Sequence, residues 1–153
     1  RGAYMESERA LAKAKGEPSP IHDSIEDTHQ CYNDAVDSIL RHASESDISL
    51  EVMLATHNQD SIEKAIRAMQ KYGIQPQDPT VCFGQLLGMS DQLTFNLGKH
   101  GYRAYKYVPY GEVKMVMPYL IRRAQENSGM LSNVGKELTM LARALKARTF
   151  GGA

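Results

Sequence analysis

Three short apolar stretches, each followed by a helical pattern, constrain the fold of this chain more than any other feature. The stretches are SLEVMLATHN (49–58), TVCFG (80–84) and RAYKYV (103–108). The segment after the first stretch carries an apolar helical stripe at Ile62, Ala65, Ile66 and Met69. Gly73 is well placed to end that helix. Strands that alternate with helices at this spacing indicate parallel βα units.

Other helices are predicted before, between and after these units. They cover residues 6–15, 24–43, 90–101 and 136–150, and a further helix contains residues 118–127. An open doubly wound sheet and part of a (β/α)8 barrel both fit this order. A complete barrel needs about 250 residues, so a chain of 153 residues could supply only about half of one.

The segments that follow the predicted strands are the first candidates for a binding site. They are RGAY at the start, THN with His57, GQLLG with Gln85, and YVPYG with Tyr107. Parallel α/β folds bind ligands at the carboxyl ends of their strands. RGAY resembles the end of a strand that begins outside this sequence, and small residues there let a backbone approach a phosphate.

Some of these residues also have a purely structural interpretation. His57 could be a capping or core histidine, and Asn58 is a plausible helix N-cap. Gly84 and Gly88 are expected to shape a loop, because the GxGxxG dinucleotide fingerprint is absent.

The stretch PYLIRRAQEN (118–127) gives one helix face an aromatic and doubly cationic character. The residues at positions i, i+3, i+4 and i+7 are Tyr119, Arg122, Arg123 and Glu126. The opposite face is apolar, with Met117, Leu120, Ile121 and Ala124. The polar face either meets water, with an Arg122–Glu126 pair worth about 0.2–0.5 kcal/mol, or holds a compact anion. Arginine forks bind carboxylates and phosphates through two parallel hydrogen bonds.

Composition and spacing exclude several classes of function. Lys+Arg and Asp+Glu both number 18, which argues against bulk nucleic-acid binding. No apolar run approaches the roughly 18 residues of a membrane span, and the histidines lack metal-ligand spacing. Cys31 and Cys82 are expected to be reduced thiols of an intracellular protein. The amphipathic tail helix either packs on its own fold or touches an anionic membrane surface.

Five motifs together resemble a known family. RGAYM, ATHN, FGQLLGM, YKYVPYG and PYLIRRAQENS occur in this order, and they are similar to the C-terminal half of proline dehydrogenases, closest to the animal mitochondrial enzymes. The resemblance implies an α/β fold, the C-terminal half of a (β/α)8 TIM-type barrel with parallel strands. Residues 1–153 would run from the end of strand five through helix eight and a C-terminal helix. The N-terminal half would be absent from this chain.

The resemblance also implies an activity, which is FAD-dependent oxidation of L-proline to Δ1-pyrroline-5-carboxylate. Electrons would pass to a quinone, in the first step of proline catabolism, at the mitochondrial inner membrane or on its matrix side. The implied partners are L-proline, the quinone and the N-terminal barrel half, as another segment or chain. Peripheral membrane contact is compatible with this assignment, and the chain alone should be catalytically incomplete.

Individual roles follow from the matching motifs. The implied substrate-binding residues are Arg122, Arg123, Tyr119, Tyr107 and Leu87. The implied cofactor-binding residues are Arg1, Gly2, Ala3, Thr56, His57 and Glu126, and the last of these could brace the arginines instead. The arginines would clamp the substrate carboxylate, and the tyrosines would wall its ring. No metal site is expected.

Three alternatives remain open. Similar animal enzymes that prefer 4-hydroxyproline carry a serine at the position of Tyr107, so this tyrosine predicts a preference for proline over hydroxyproline. A non-catalytic α/β anion-binding domain would use the same arginine pair for a phosphate or a partner's carboxylate. A metal-dependent hydrolase on a barrel is disfavoured by the missing ligand spacing.

Overall fold

A computed structural model describes residues 4–46 and 50–127, together with six residues of the tail. The elements run α1 (Tyr4–Lys15), α2 (Ile25–Glu45), β1 (Val52–Ala55), α3 (Gln59–Lys71), β2 (Val81–Leu86), α4 (Asp91–Lys99), β3 (Ala104–Tyr107) and α5 (Val113–Asn127). The predicted alternation of strands and helices is confirmed. The described tail residues are helical, but most of the predicted helix at 136–150 lies outside the described residues.

The three strands form one parallel sheet in the order β1-β2-β3. Leu54 pairs with Phe83 in β2, and Phe83 pairs with Ala104 in β3. Parallel pairing places the carboxyl ends of all three strands at the same end of the sheet. The α/β class predicted from the sequence is confirmed, and the barrel remains a prediction.

Two compact units make up the chain. The first consists of Arg1–Ile21 and Tyr110–Ala153, and the second of His22–Pro109. Within the described residues, α1 and α5 belong to the first unit, and α2, the sheet, α3 and α4 belong to the second.

The core of the second unit consists of apolar side chains from the sheet and from three helices. Its buried members include Leu40 of α2, Met69 of α3, Leu97 of α4 and Phe83 of β2. Phe83 meets the ring of Tyr102 edge-on, with the ring centroids 5.9 Å apart. Full burial of each such side chain stabilises the fold by roughly 1.5–3 kcal/mol, which fixes the helices against one face of the sheet.

Local signals set the ends of α3 as predicted. The side chain of Asn58 accepts a hydrogen bond from the Asp60 N–H at 3.0 Å, so Asn58 is the N-cap. Gly73 has φ +72°, and the Ile74 N–H donates to the Met69 carbonyl at 2.9 Å. These features form a Schellman motif, in which glycine is favoured because the backbone is left-handed.

Strand β2 is longer than its sequence suggests, and this corrects one expectation. It continues through Leu86, so Gly84 and Gln85 lie in the strand rather than in a loop. A Cβ atom on Gly84 would stand 3.2 Å from the Met53 sulfur of β1. The glycine therefore serves close side-chain packing between strands. Gly88 does lie in the loop that follows, with φ +77°.

Candidate active site

A histidine joins β2 to the loop after β1 by a hydrogen bond at the carboxyl end of the sheet. The Leu86 N–H of β2 donates to Nε2 of His57, in the loop after β1, at 3.0 Å. In this contact Nε2 is the acceptor. The Leu87 N–H donates to the Tyr107 carbonyl at 3.1 Å. Three residues predicted for the site are thus brought to neighbouring strand ends. His57 bonds to the backbone at the end of β2, and its role in the site stays a prediction.

A buried glutamine fixes the turn at Thr56 and His57. Gln85 is only 2% exposed. Its Nε2 donates to the Thr56 carbonyl at 3.4 Å, and its Oε1 accepts from the Thr94 hydroxyl of α4 at 2.9 Å. The Thr56 hydroxyl in turn accepts from the Asn58 N–H at 3.1 Å. Hydrogen bonds therefore hold the turn at the Thr56 hydroxyl, at the Thr56 carbonyl and at the His57 ring.

The loop between β2 and α4 (residues 87–90, the β2–α4 loop) is held by a lysine that the sequence reasoning did not single out. The Nζ of Lys106 lies 2.6 Å from Oδ1 of Asp91 and donates to the Met89 carbonyl at 2.8 Å. The available signal was strand alternation, because Lys106 shares its face of β3 with the half-buried Ala104. Lysine is rare on a buried strand face, so its presence there indicates a specific partner.

Leu87 and Tyr107, the substrate-contacting residues predicted in the second unit, have exposed side chains. Tyr107 is the last residue of β3 and is 54% exposed, although its backbone carbonyl is hydrogen-bonded. Thr56 and His57 are half-buried. The carboxyl end of the sheet thus presents an apolar side chain and a phenol above a rigid polar layer. This combination suits a small ligand with an apolar ring.

Helix α5 carries the arginine pair. The guanidinium of Arg123 lies 5.3 Å from the ring centroid of Tyr119, in cation–π geometry. Arg122 is exposed, and Arg123 is half-buried. Glu126 lies in the same helix, but its side chain is outside the described residues, so the predicted Arg122–Glu126 pair is untested. The spacing of Tyr119 and Arg123 on one face is confirmed by their contact.

The apolar face of α5 is largely uncovered. Met117, Leu120 and Ile121 are all exposed. An amphipathic helix normally buries such a stripe, so this face remains available for packing against further protein.

The predicted site has members in both compact units. Thr56, His57, Leu87 and Tyr107 belong to the second unit, and Tyr119, Arg122, Arg123 and Glu126 belong to the first. The predicted cofactor contacts Arg1, Gly2 and Ala3 lie outside the described residues.

A groove of about 290 Å³ lies between α2 and α3, on the helical layer. Its charged groups are largely compensated within the chain. Lys71 Nζ lies 3.8 Å from Asp37 Oδ1, and Arg67 pairs with Glu63 at 3.4 Å. A hydrogen bond to the Tyr72 hydroxyl and the nearby Asp37 carboxylate raise the pKa of Lys71. This groove is therefore not the candidate site, and the predicted site residues lie elsewhere, at the strand ends and on α5.

The structure also bears on the expectations about metal sites and membrane spans. Across residues 4–46 and 50–127, no group of three His, Cys, Asp or Glu residues could hold a metal ion. In that same part of the chain, no helix has the length and apolar character of a membrane span. Cys31 and Cys82 are free thiols.

Comparisons with known proteins identify the family. The family described as "Proline dehydrogenase" matches residues 1–136. Mitochondrial proline dehydrogenase 1 of Drosophila melanogaster is 44% identical over 99% of this chain and 23% of its own length. Mitochondrial proline dehydrogenase 2 of Arabidopsis thaliana is 45% identical, over 97% of this chain and 31% of its own length. Hydroxyproline dehydrogenase of Xenopus laevis is 43% identical, over 98% of this chain and 32% of its own length.

The chain thus spans between 23% and 32% of the length of these curated relatives. The matched residues include the strand ends and the arginine helix, which carry the residues predicted for the site. The chain belongs to the proline dehydrogenase family.

Proposed function

We propose that this chain supplies the C-terminal half of a (β/α)8 barrel that oxidises L-proline to Δ1-pyrroline-5-carboxylate with bound FAD. The observation that carries the proposal is the arginine pair on α5, with Arg123 against the Tyr119 ring at 5.3 Å. These residues lie within the segment that matches the family. An aromatic ring in contact with Arg123, with Arg122 adjacent in the same helix, fits a small carboxylate with an apolar body.

Arg122 and Arg123 bind the substrate carboxylate in this proposal. The cation–π contact restrains Arg123 and reduces the side-chain freedom that binding must remove. Two guanidinium forks match the two oxygens of one carboxylate. Glu126, on the same face, braces the arginines or the cofactor side of the site.

The residues at the carboxyl end of the sheet fit a bound FAD. Thr56 and His57 form a polar turn that is held by Gln85 and Leu86 and remains half-buried. A rigid polar turn of this kind can contact a large polar cofactor without further ordering. Thr56 and His57 would hold the cofactor together with Arg1, Gly2 and Ala3.

FAD, when bound, supplies the acceptor for the hydride that leaves C5 of proline. The task of this chain is then orientation rather than acid–base chemistry. Arg122 and Arg123 anchor the carboxylate, and Tyr107 and Leu87 flank the ring and keep water from it. Anchoring one side of the substrate aims the opposite carbon at the acceptor.

The remaining barrel half is a separate part of the proposal. The chain covers only 23% of the Drosophila relative, and the apolar face of α5 is exposed. We infer that an N-terminal segment or chain completes the barrel, and that the isolated chain is inactive. The mitochondrial names of the proline dehydrogenase relatives favour a mitochondrial location, with electrons passed to a membrane quinone through peripheral contact.

Oxidation of hydroxyproline is the second candidate function. It is favoured by relatives with that name, such as the Xenopus enzyme at 43% identity. In this proposal Tyr107 distinguishes the two substrates, because a phenol ring placed against C4 would leave little room for a hydroxyl there. We therefore assign proline as the preferred substrate.

The test is the visible absorption spectrum of the chain assembled with its N-terminal half, before and after L-proline is added without oxygen. A flavin band that bleaches with L-proline is the expected result. A flavin band that L-proline leaves unchanged contradicts the assigned substrate. If the assembled protein holds no flavin, the anion-binding domain becomes the better explanation.

A further inference from the structure

Among the described residues, the one non-glycine residue with a left-handed φ, Ser90, lies in the β2–α4 loop, residues 87–90. Gly88 has φ +77° and Ser90 has φ +51°. Glycine adopts this left-handed conformation readily, whereas a serine there is strained. A strained residue persists only where surrounding contacts hold it in place. The loop that presents Leu87 therefore depends on anchors outside itself.

Lys106 is the main anchor of this loop. Its ammonium group pairs with the Asp91 carboxylate at 2.6 Å. It also donates to the Met89 carbonyl at 2.8 Å and to the Leu86 carbonyl at 3.4 Å. These acceptors lie just before the loop, within it and just after it. A single cation therefore holds the loop along its whole length.

The surroundings of this ammonium group strengthen its contacts. The Lys106 side chain is 19% exposed, whereas the side chain of Asp91 is 52% exposed. Charge-assisted hydrogen bonds are stronger where water is partly excluded. Gln85, the Cα partner of Lys106 in the adjacent strand, is fully buried. The two side chains form a polar layer directly beneath the loops of the candidate site.

Lys106 acts on the site through the loop and not by direct contact. Successive side chains of a strand point to opposite faces, so Lys106 and the exposed Tyr107 lie on opposite sides of β3. The Leu87 N–H is bonded to the Tyr107 carbonyl at 3.1 Å. Lys106 thus restrains Leu87 through the Leu86 and Met89 carbonyls on either side of it. Tyr107 restrains Leu87 by a backbone hydrogen bond.

We propose that Lys106 is a positioning residue, which fixes Leu87 through the β2–α4 loop and thereby sets the size of substrate ring that the site accepts. The ring-size part rests on the proposed function, because it takes a cyclic amino acid as the substrate. The anchoring part concerns the loop alone.

The test compares Lys106→Met, Lys106→Arg and the control Lys99→Met in the holoenzyme formed with the N-terminal half. Lys99 is an exposed lysine at the end of α4, so its replacement matches the chemical change without touching the loop. The first readout is hydrogen exchange at the Leu87 and Met89 amides. The second is kcat/KM for L-proline relative to L-pipecolate, whose ring has one more carbon.

In Lys106→Met the two amides should exchange about tenfold faster, as expected for local opening of the loop. The preference for L-proline over L-pipecolate should fall about tenfold, at the lower end of the range that one methylene group supplies in a binding pocket. Lys106→Arg should restore most of this preference, because it keeps the cation. Lys99→Met should change neither readout, and the flavin content should be equal in all variants.

Unchanged exchange in Lys106→Met overturns the proposal. Faster exchange with an unaltered preference overturns the positioning role, because a merely structural lysine would lower both activities equally. Asp91→Asn serves if Lys106→Met does not fold, and it should change both readouts in the same direction. A wild-type holoenzyme that leaves L-proline unchanged overturns the proposed function and the ring-size claim with it, while exchange still decides the anchoring.

Discussion

The carboxyl end of the sheet and helix α5 both carry polar residues predicted for the site, but the contacts of these residues differ between the two regions. At the strand ends, His57, Gln85 and Lys106 are bonded to backbone and side chains of the same unit. On α5, Arg122 is exposed and Arg123 lies against an aromatic ring. The first region is a hydrogen-bonded scaffold, and the second is the proposed binding surface.

This difference separates stability from binding. Replacing a polar group of the scaffold leaves its buried partners unsatisfied and costs folding free energy. Replacing an exposed arginine removes a ligand contact and leaves the fold intact. Substitutions in the two regions should therefore affect different measurements.

The largest effect is expected on α5. Arg122→Met should weaken L-proline binding by roughly 2–5 kcal/mol, the range for losing one partner of a closed charge pair. Its melting temperature should match that of the wild type. The dependence of the anaerobic flavin reduction rate on the L-proline concentration measures the first quantity. Arg67→Met is the control, because Arg67 pairs with Glu63 on the surface of α3. A lowered melting temperature with normal binding would make Arg122 part of the scaffold.

The scaffold should respond in the opposite way. Gln85→Leu removes the acceptor of the Thr94 hydroxyl and the donor to Thr56, so the free energy of unfolding should fall by about 1–3 kcal/mol. Urea denaturation measures this loss. Gln70→Leu provides the matched change at an exposed position of α3. Equal stability of the two variants would refute the buried role of Gln85.

Tyr107 combines properties of both regions, because its backbone carbonyl is hydrogen-bonded and its side-chain ring is exposed. Tyr107→Ser should raise activity on 4-hydroxyproline relative to L-proline by about tenfold, within the usual 1–3 kcal/mol of a single-group discrimination. Steady-state kinetics on both substrates check this. Tyr105→Ser, two residues earlier in β3, should leave the ratio unchanged. If Tyr107→Ser does not raise the activity on 4-hydroxyproline relative to L-proline, Tyr107 does not set this preference.

The smallest effect concerns Asp78, which lies outside both regions. Hydrogen bonds from the Thr80 side chain and from the Thr80 N–H, at 2.9 Å, lower the pKa of Asp78. A lowered pKa in the folded state stabilises the protein above the usual carboxyl pKa of about 3.9. This stabilisation is lost as pH falls through the lower folded value. Asp78→Asn should therefore flatten the acid limb of stability against pH, and the exposed Asp23→Asn should not.

The sequence predicted most of the scaffold because its signals are local. Apolar periodicity indicates α3, and Asn58 and Gly73 mark its ends. The length of β2 was underestimated because Gly84 resembles a loop residue until the packing of Met53 is known. The anchoring role of Lys106 depends on Met89 and Asp91, which only the folded chain brings to it.

The candidate site was predictable to a different degree. Helical spacing places Tyr119 and Arg123 on one face, and their ring contact confirms it. Strand order places His57, Leu87 and Tyr107 at one end of the sheet. Periodicity carries no information on how a helix approaches strand ends elsewhere in the chain. The relation of α5 to the strand ends is an expectation from the family resemblance.

The central claim is that Arg122 and Arg123 bind a carboxylate, and one comparison tests it most directly. Anaerobic flavin reduction is followed with L-proline and with L-prolinamide, in the wild-type holoenzyme and in Arg122→Met. The wild type should prefer the acid over the neutral amide by about thirtyfold or more, which corresponds to roughly 2 kcal/mol. This preference should largely vanish in the variant. An undiminished preference in Arg122→Met would contradict the claim.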